Sequence, residues 1–300
     1  MTPTTGNRRV VVGVDGSPAG WHALQWAADE AQALDATIDV VHAWTVPVMV
    51  YPEGQIFDAE PFRDEAQHVL DDAMAFLARP DVETADARPR LVEMATVDAL
   101  LAAAAGAELL VLGNRGLGAF ADLVVRSVSQ GCVEGARCPV AVVPARSVDR
   151  WRGGRVVVGV DGSDISADAL QWALAEAARR QADLSVVIAY HHHQLESLIG
   201  PPGAVDHDSV RKASQALADE MVERAIAGAD QQPVSVEVIA VAASAGHGLV
   251  EAAVDADLLV VGSRGRSNLR GVLLGSVSRH CVHHAPCPVV IVRGATGHAA

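Results

Sequence analysis

Gly262, Gly265 and Gly275 follow an apolar run in the spacing G-x2-G-x9-G-S, which closes on Ser276 and continues to Ser278. Arg264, Arg266 and Arg270 are interleaved with them. Glycine and arginine after an apolar run describe a strand feeding a loop built around an anion. Gly262 and Gly265 are expected to let the backbone turn tightly and bring N–H groups close to phosphate oxygens. Gly275 removes a side chain where a helix begins, and Ser276 and Ser278 add hydroxyl donors. A helix N-terminus carries partial positive charge, so phosphate is the natural guest. Asp161, at the end of another apolar run, can accept hydrogen bonds from a ribose hydroxyl or an adenine amino group. The chemistry on offer is a nucleotide cradle.

The chain that must position these residues repeats itself. Arg9–Ser17 reads RVVVGVDGS, and Arg155–Ser163 reads the same nine residues. ALQWA follows in both places, and LGNRG at Leu112–Gly116 returns as VGSRG at Val261–Gly265. A period near half the chain implies duplicated domains, 1–146 and 147–300, not a solenoid of short units. Between them PARSVDRWRGG breaks the apolar periodicity.

Within each copy strands alternate with helices. Val10–Val14 is a continuous β-branched run, as a strand buried on both faces requires. Ser17 offers an N-cap and Pro18 a first helical position, opening a helix to about Leu34. Ile38–Trp44 then reads as a strand, Phe62–Ala78 as a helix and Arg90–Ala95 as a strand. Asp98–Ala105, Leu109–Leu112, Val124–Gly135 and Val140–Val143 complete the set. The second copy repeats it, with its longest helix near Ser209–Gly228. The expected fold class is α/β: two tandem five-stranded parallel-sheet sandwiches, Rossmann-like, in the order 3-2-1-4-5 with right-handed crossovers. That order reverses between the first and fourth strands, so Asp161 and the glycine loop share a crevice at the carboxyl ends of the strands.

Composition excludes other classes. A formal charge of −14 over 300 residues argues against nucleic acid as a partner. The longest helix-like apolar run, Ala99–Ala107, is far short of a membrane span. MTPTTGNRR runs straight into a strand-like segment without a signal-peptide pattern, so a soluble, cytoplasmic protein is expected. A dinucleotide fingerprint would place its glycines after the first strand and its acid about twenty residues later. Here the acid is on the first strand and the glycines follow the fourth. No GxxxxGK[ST] is present to make a P-loop.

The glycine spacing behind VGVDGS and ahead of CPVVIV closely resembles the universal stress protein family, in its ATP-binding subclass. The resemblance spans nearly the whole chain, in both copies. It implies a nucleotide site at Asp161, the backbone of Val187, Gly262, Arg264, Gly265, Gly275, Ser276, Val277 and Ser278. In the first copy it implies Asp15, Val41, Gly113, Arg115, Gly116, Ser127, Val128 and Ser129. That copy departs at Arg126, which stands where the second has Gly275. Its loop also carries Leu117, Ala121 and Asp122 where the second has Arg266, Arg270 and Gly271. The first copy is therefore expected to bind triphosphate more weakly. The resemblance further implies ATP, a homodimer, and a regulatory role in the stress response; Mg2+ is expected to accompany the triphosphate, without a dedicated carboxylate cage.

Three functions are open at this point: an ATP-binding regulator, a slow ATPase, and a scaffold or cyclic-nucleotide-binding protein. No acid–base pair is visible beyond Asp161, and Asp161 is better employed holding the nucleoside, so slow turnover is the most that catalysis would reach. Cys132, Cys138, Cys281 and Cys287 recur at equivalent positions and are expected to pack as small apolar residues. His280 and His284 are four apart and on a helix could share a metal, but the first copy has Gly131 and Gly135 there, so no metal site is expected. His191–His193 ends the second strand of the second copy; a solvated loop is the expectation there.

Overall fold

The computed structural model describes residues 8–46, 59–80, 82, 86–114, 128–145, 154–190, 207–228, 234–265 and 274–294. The chain divides into two compact units, Met1–Ala145 and Arg146–Ala300.

The first unit runs β1 (Arg9–Gly13), α1 (Pro18–Ala33), β2 (Thr37–Trp44), α2 (Glu60–Leu77), β3 (Ala87–Glu93), α3 (Thr96–Ala103), β4 (Leu109–Gly113), α4 (Val128–Gly135) and β5 (Val140–Val143). The second runs β6 (Arg155–Val160), α5 (Asp164–Arg180), β7 (Asp183–Ala189), α6 (His207–Ala227), β8 (Val236–Val241), α7 (Ala245–Ala252), β9 (Leu258–Gly262), α8 (Ser276–His284) and β10 (Val289–Val292). All pairings inside each unit are parallel. The first sheet is ordered β3-β2-β1-β4-β5. The second is ordered β8-β7-β6-β9-β10. Both are the expected 3-2-1-4-5. Among the described residues no helix is long and apolar enough to cross a membrane.

The central strands are β-branched because both of their faces are covered. Val10, Val11, Val12, Val156, Val157 and Val158 are fully buried. One stripe of each first helix lies on them: Ala23, Leu24 and Ala27 in α1, Ala169, Leu170 and Ala173 in α5, all at 0% exposure. Alanine on that stripe lets the helix approach closely, and each leucine contributes about 1.5–3 kcal/mol by its burial. Gly13 and Gly159 make room on the other face. A side-chain carbon there would stand 2.9 Å from Leu100 Cδ2 of α3 and 2.7 Å from Leu249 Cδ1 of α7.

Strand β3 begins three residues before the expected Arg90. Pro89 argues against a strand interior, but β3 pairs with β2 at the outer end of the order, where a missing N–H is tolerated. Arg90 in β3 and Arg9 in β1 both reach the buried Asp39 of β2, at 3.1 and 2.7 Å to Oδ2. Its other oxygen, Oδ1, is buried without a hydrogen-bond partner. In the second unit Ser185 occupies the matching register position, opposite Val157 as Asp39 is opposite Val11.

Candidate functional site

The site begins in the turn after each first strand. Gly162 has φ +84° and Gly16 φ +76°, a left-handed conformation that glycine adopts without steric cost. The preceding aspartate closes the turn: Asp161 Oδ1 accepts the Ser163 N–H at 3.0 Å and the Ser163 hydroxyl at 2.6 Å. Asp15 Oδ1 likewise accepts the Ser17 N–H at 3.0 Å. Ser163 and Ser17 then cap their helices, accepting from the N–H of Ser166 at 3.2 Å and of Gly20 at 3.0 Å. Each aspartate is thus held at the carboxyl end of its strand by the turn that starts the next helix.

In the second unit Gly265, just after β9, comes against that aspartate. A side-chain carbon at Gly265 would overlap Asp161 Oδ2. The acid of the first strand and the glycine loop of the fourth are therefore in contact, as the strand order requires. Gly275 donates its N–H to the Ser263 carbonyl at 2.8 Å, which brings the start of α8 onto the same loop. Being a glycine, it offers no side-chain oxygen to the first N–H groups of α8, so those donors keep their anion-binding capacity. Arg264 lies between, with its Nε buried and without a hydrogen-bond partner.

Two expected roles are corrected. Gly262 and Gly265 do not have left-handed φ, so tight turning is not why they are glycine. They are glycine for space. A side chain at Gly262 would stand 2.9 Å from Ile165 Cγ2 at the start of α5, and its first-unit counterpart Gly113 would strike the Ala19 backbone at 2.8 Å. Gly275 is open by comparison, its nearest neighbour being the Ser263 carbonyl oxygen at 3.4 Å. Ser278, expected as a donor to the anion, is 2% exposed and donates its hydroxyl to the Gly262 carbonyl at 2.6 Å. It braces the loop against the helix.

Ser276 is exposed and Val277 half-buried at the helix start. Val187 is buried in β7, in register with Gly159 of β6 and Ile239 of β8. In the first unit Val41 is equally buried and its carbonyl accepts the Val14 N–H at 3.0 Å. Val128 is exposed and Ser129 buried at the start of α4. Arg115, Gly116, Arg126 and Ser127 lie outside the described residues, as do Arg266, Arg270 and His191–His193.

Sequence reasoning missed Arg293. It follows β10 directly, so it leaves the sheet at the same carboxyl edge as Arg264. Burial lowers its pKa, and the nearby Arg264 charge lowers it further. Its first-unit counterpart is Pro144. The signal was available in the topology: the fifth strand neighbours the fourth, so a cation just past it belongs beside the glycine loop.

The histidines of α7 and α8 form a cluster of their own. The rings of His247 and His280 are 4.8 Å apart between centroids, and those of His280 and His284 4.4 Å apart. His280 Nε2 is buried without a hydrogen-bond partner. Burial lowers the His280 pKa, and the charges of His284, His247 and His283 lower it further. Among the described residues no group of three His, Cys, Asp or Glu converges to hold a metal ion. The four cysteines are buried free thiols, as expected. Burial pushes Cys132, Cys281 and Cys287 up to about 12 and Cys138 to about 11.

A doubly wound parallel sheet with an acid on strand one facing a glycine loop after strand four defines a class of Rossmann-like α/β domains, present here in tandem. Comparison with known proteins narrows the class. The model of the universal stress protein family matches residues 6–144 and again 154–293. Universal stress protein Rv2005c of Mycobacterium tuberculosis is 34% identical over 295 residues, covering 95% of this chain and 96% of its own. Universal stress protein Rv1996 of the same organism is 33% identical over 318 residues, covering 98% and 97%. A universal stress protein structure from Archaeoglobus fulgidus shares the fold at a TM-score of 0.67 and 17% identity, covering 96% of this chain and 99% of that one. The chain belongs to the universal stress protein family as a tandem-domain member, a family of the stress response.

Proposed function

We propose that the second unit binds an adenine nucleotide, ATP accompanied by Mg2+, and that the protein acts as a nucleotide-responsive regulator without rapid turnover. The observation that carries this reading is the contact between Gly265 and Asp161. It joins the loop suited to phosphate with the acid suited to a nucleoside, at the sheet position where ligands of this architecture sit. Arg264 and the glycine-capped start of α8 add positive potential beside it. Asp161 spends Oδ1 on its own turn, so it orients ligand groups and is poorly placed as a base that activates water. Homodimer formation and a cytoplasmic location belong to the same proposal.

The first unit keeps Asp15 and Gly113 in equivalent positions, and its departure at Arg126 makes it the weaker site in this reading. The test is to heat-denature gently purified protein and identify released nucleotide by mass spectrometry, then to titrate ATP, ADP and cyclic AMP into nucleotide-free protein. Retained or rebound ATP supports the proposal; cyclic nucleotide binding without ATP binding overturns it. Rapid decay of bound ATP to ADP would replace the regulator with an ATPase.

A further inference from the structure

Arg293 leaves β10 level with Ser263, the residue before Arg264 at the end of the adjacent strand. Val292 is in register with Gly262, and the Ser263 N–H donates to the Val292 carbonyl at 2.8 Å. The residue following each partner in that hydrogen bond is an arginine. Gly275 is bonded to the carbonyl of the same Ser263, and a side chain on Gly275 would lie 3.5 Å from Arg264 Cα. The start of α8 and both arginines therefore meet around one residue. Arg264 keeps a buried Nε without a hydrogen-bond partner, and Arg293 is half-buried within range of the Arg264 charge. Two half-buried cations repel, and each guanidinium presents donors in a fork that matches phosphate oxygens. An anion set between them would turn that repulsion into attraction.

We propose that Arg293 is a phosphate ligand, closing with Arg264 as a two-guanidinium clamp that selects nucleoside di- and triphosphates over monophosphates. This deepens the nucleotide reading of the second unit and rests on it. A single phosphate satisfies the N–H groups at the start of α8; a longer phosphate chain carries further oxygens that reach a second guanidinium. The first unit has no such clamp, because Pro144 stands at the equivalent position and carries no donor.

The experiment uses the full nucleotide-free chain, titrated calorimetrically with ATP, ADP and AMP at fixed salt. Arg293→Gln should weaken ATP about ten- to a hundredfold, the scale of a lost charge-assisted pair, and AMP less than about threefold. Arg293→Lys retains charge but loses the fork, and should fall between parent and glutamine variant. Inorganic tripolyphosphate, which bypasses any adenine pocket, should raise the melting temperature of the parent and not of Arg293→Gln.

Parental ATP affinity in both variants overturns the clamp and leaves the nucleotide site standing. Equal losses for ATP and AMP also overturn it, by making Arg293 structural. Should the glutamine variant fail to fold, the lysine variant decides alone, and parental ATP affinity there refutes the fork. No binding of any nucleotide by the parent removes the site reading first, and the clamp with it.

Discussion

The two units pack their third and fourth helices with the large and small residues exchanged. In the first unit Gly131 of α4 faces Val97 of α3, and a side-chain carbon on the glycine would stand 3.0 Å from Val97 Cγ2. In the second, the position of Val97 is Gly246 and the position of Gly131 is His280; a carbon on Gly246 would stand 2.8 Å from the imidazole. One turn on the exchange stops: Gly135 accommodates Leu101, whereas the second unit has Val250 and His284 at those positions, His284 being part of the histidine cluster. Close helix approach is the retained quantity, and which helix provides the hollow is free to change. The buried Asp39 with its two arginines, replaced by Ser185, teaches the same lesson for the sheet. Fold-bearing geometry is duplicated, while the groups filling it have diverged, and a functional difference between the units is to be sought in those fillings.

The sharpest test of what is shared is the pair Leu24→Ala and Leu170→Ala. Each empties a fully buried site on the first helix and should cost about 2–5 kcal/mol in urea unfolding of the unit that carries it, by similar amounts. A large inequality would break the claim that the two cores are equivalent.

Gly265→Val tests what is claimed to differ. The new side chain collides with Asp161, so ATP affinity at the second unit should fall by about a hundredfold or more, the scale of one lost charged hydrogen bond or greater. Titration of that variant then reads the first unit alone. Adding Arg126→Gly should strengthen the residual binding severalfold if the arginine obstructs phosphate approach; weakening would make Arg126 a ligand and reverse the ranking of the two sites.

The helix exchange can be tested by transplanting it. Gly246→Val alone overpacks against His280 and should destabilise the second unit by about 1–3 kcal/mol, measured by urea unfolding. Gly246→Val with His280→Gly recreates the first unit's arrangement and should recover much of the loss. Failure to recover would mean that the two helix pairs are not interchangeable.

The smallest expected effect is a pH dependence confined to the second unit. The folded state lowers the His280 pKa, through burial and then through His284, His247 and His283. The unfolded chain therefore takes up a proton first as pH falls below about 6.5, the ordinary histidine value, and stability present above that pH is lost as pH drops through the folded value. Melting temperatures recorded from pH 8 to 5 should decline less in His280→Asn than in the parent. Parallel curves would show that His280 contributes no linkage.

Strand order, helix starts and the pairing of Asp161 with the glycine loop were legible because they rest on β-branched runs, serine caps and the alternation of strands with helices. The reasons for the motif glycines were not legible. Gly262 and Gly265 are demanded by Ile165 and Asp161, residues about a hundred positions earlier, and sequence spacing carries no record of such contacts. Ser278 was misread similarly, since a serine on a first helical turn looks the same whether it faces a ligand or a carbonyl. Arg293 was overlooked because it lies outside the motif, and only strand adjacency brings it to Arg264.

The buried cysteines give each unit its own chemical clock. A thiol held near 11 or 12 and packed away from water stays protonated, so it reacts with an alkylating reagent only while its surroundings are open. Cys132 and Cys138 time the opening of the first unit, and Cys281 and Cys287 that of the second. Pulsed alkylation read by peptide mass would follow the two halves separately in one tube of unmodified protein. Bound nucleotide should slow the labelling of whichever half holds it.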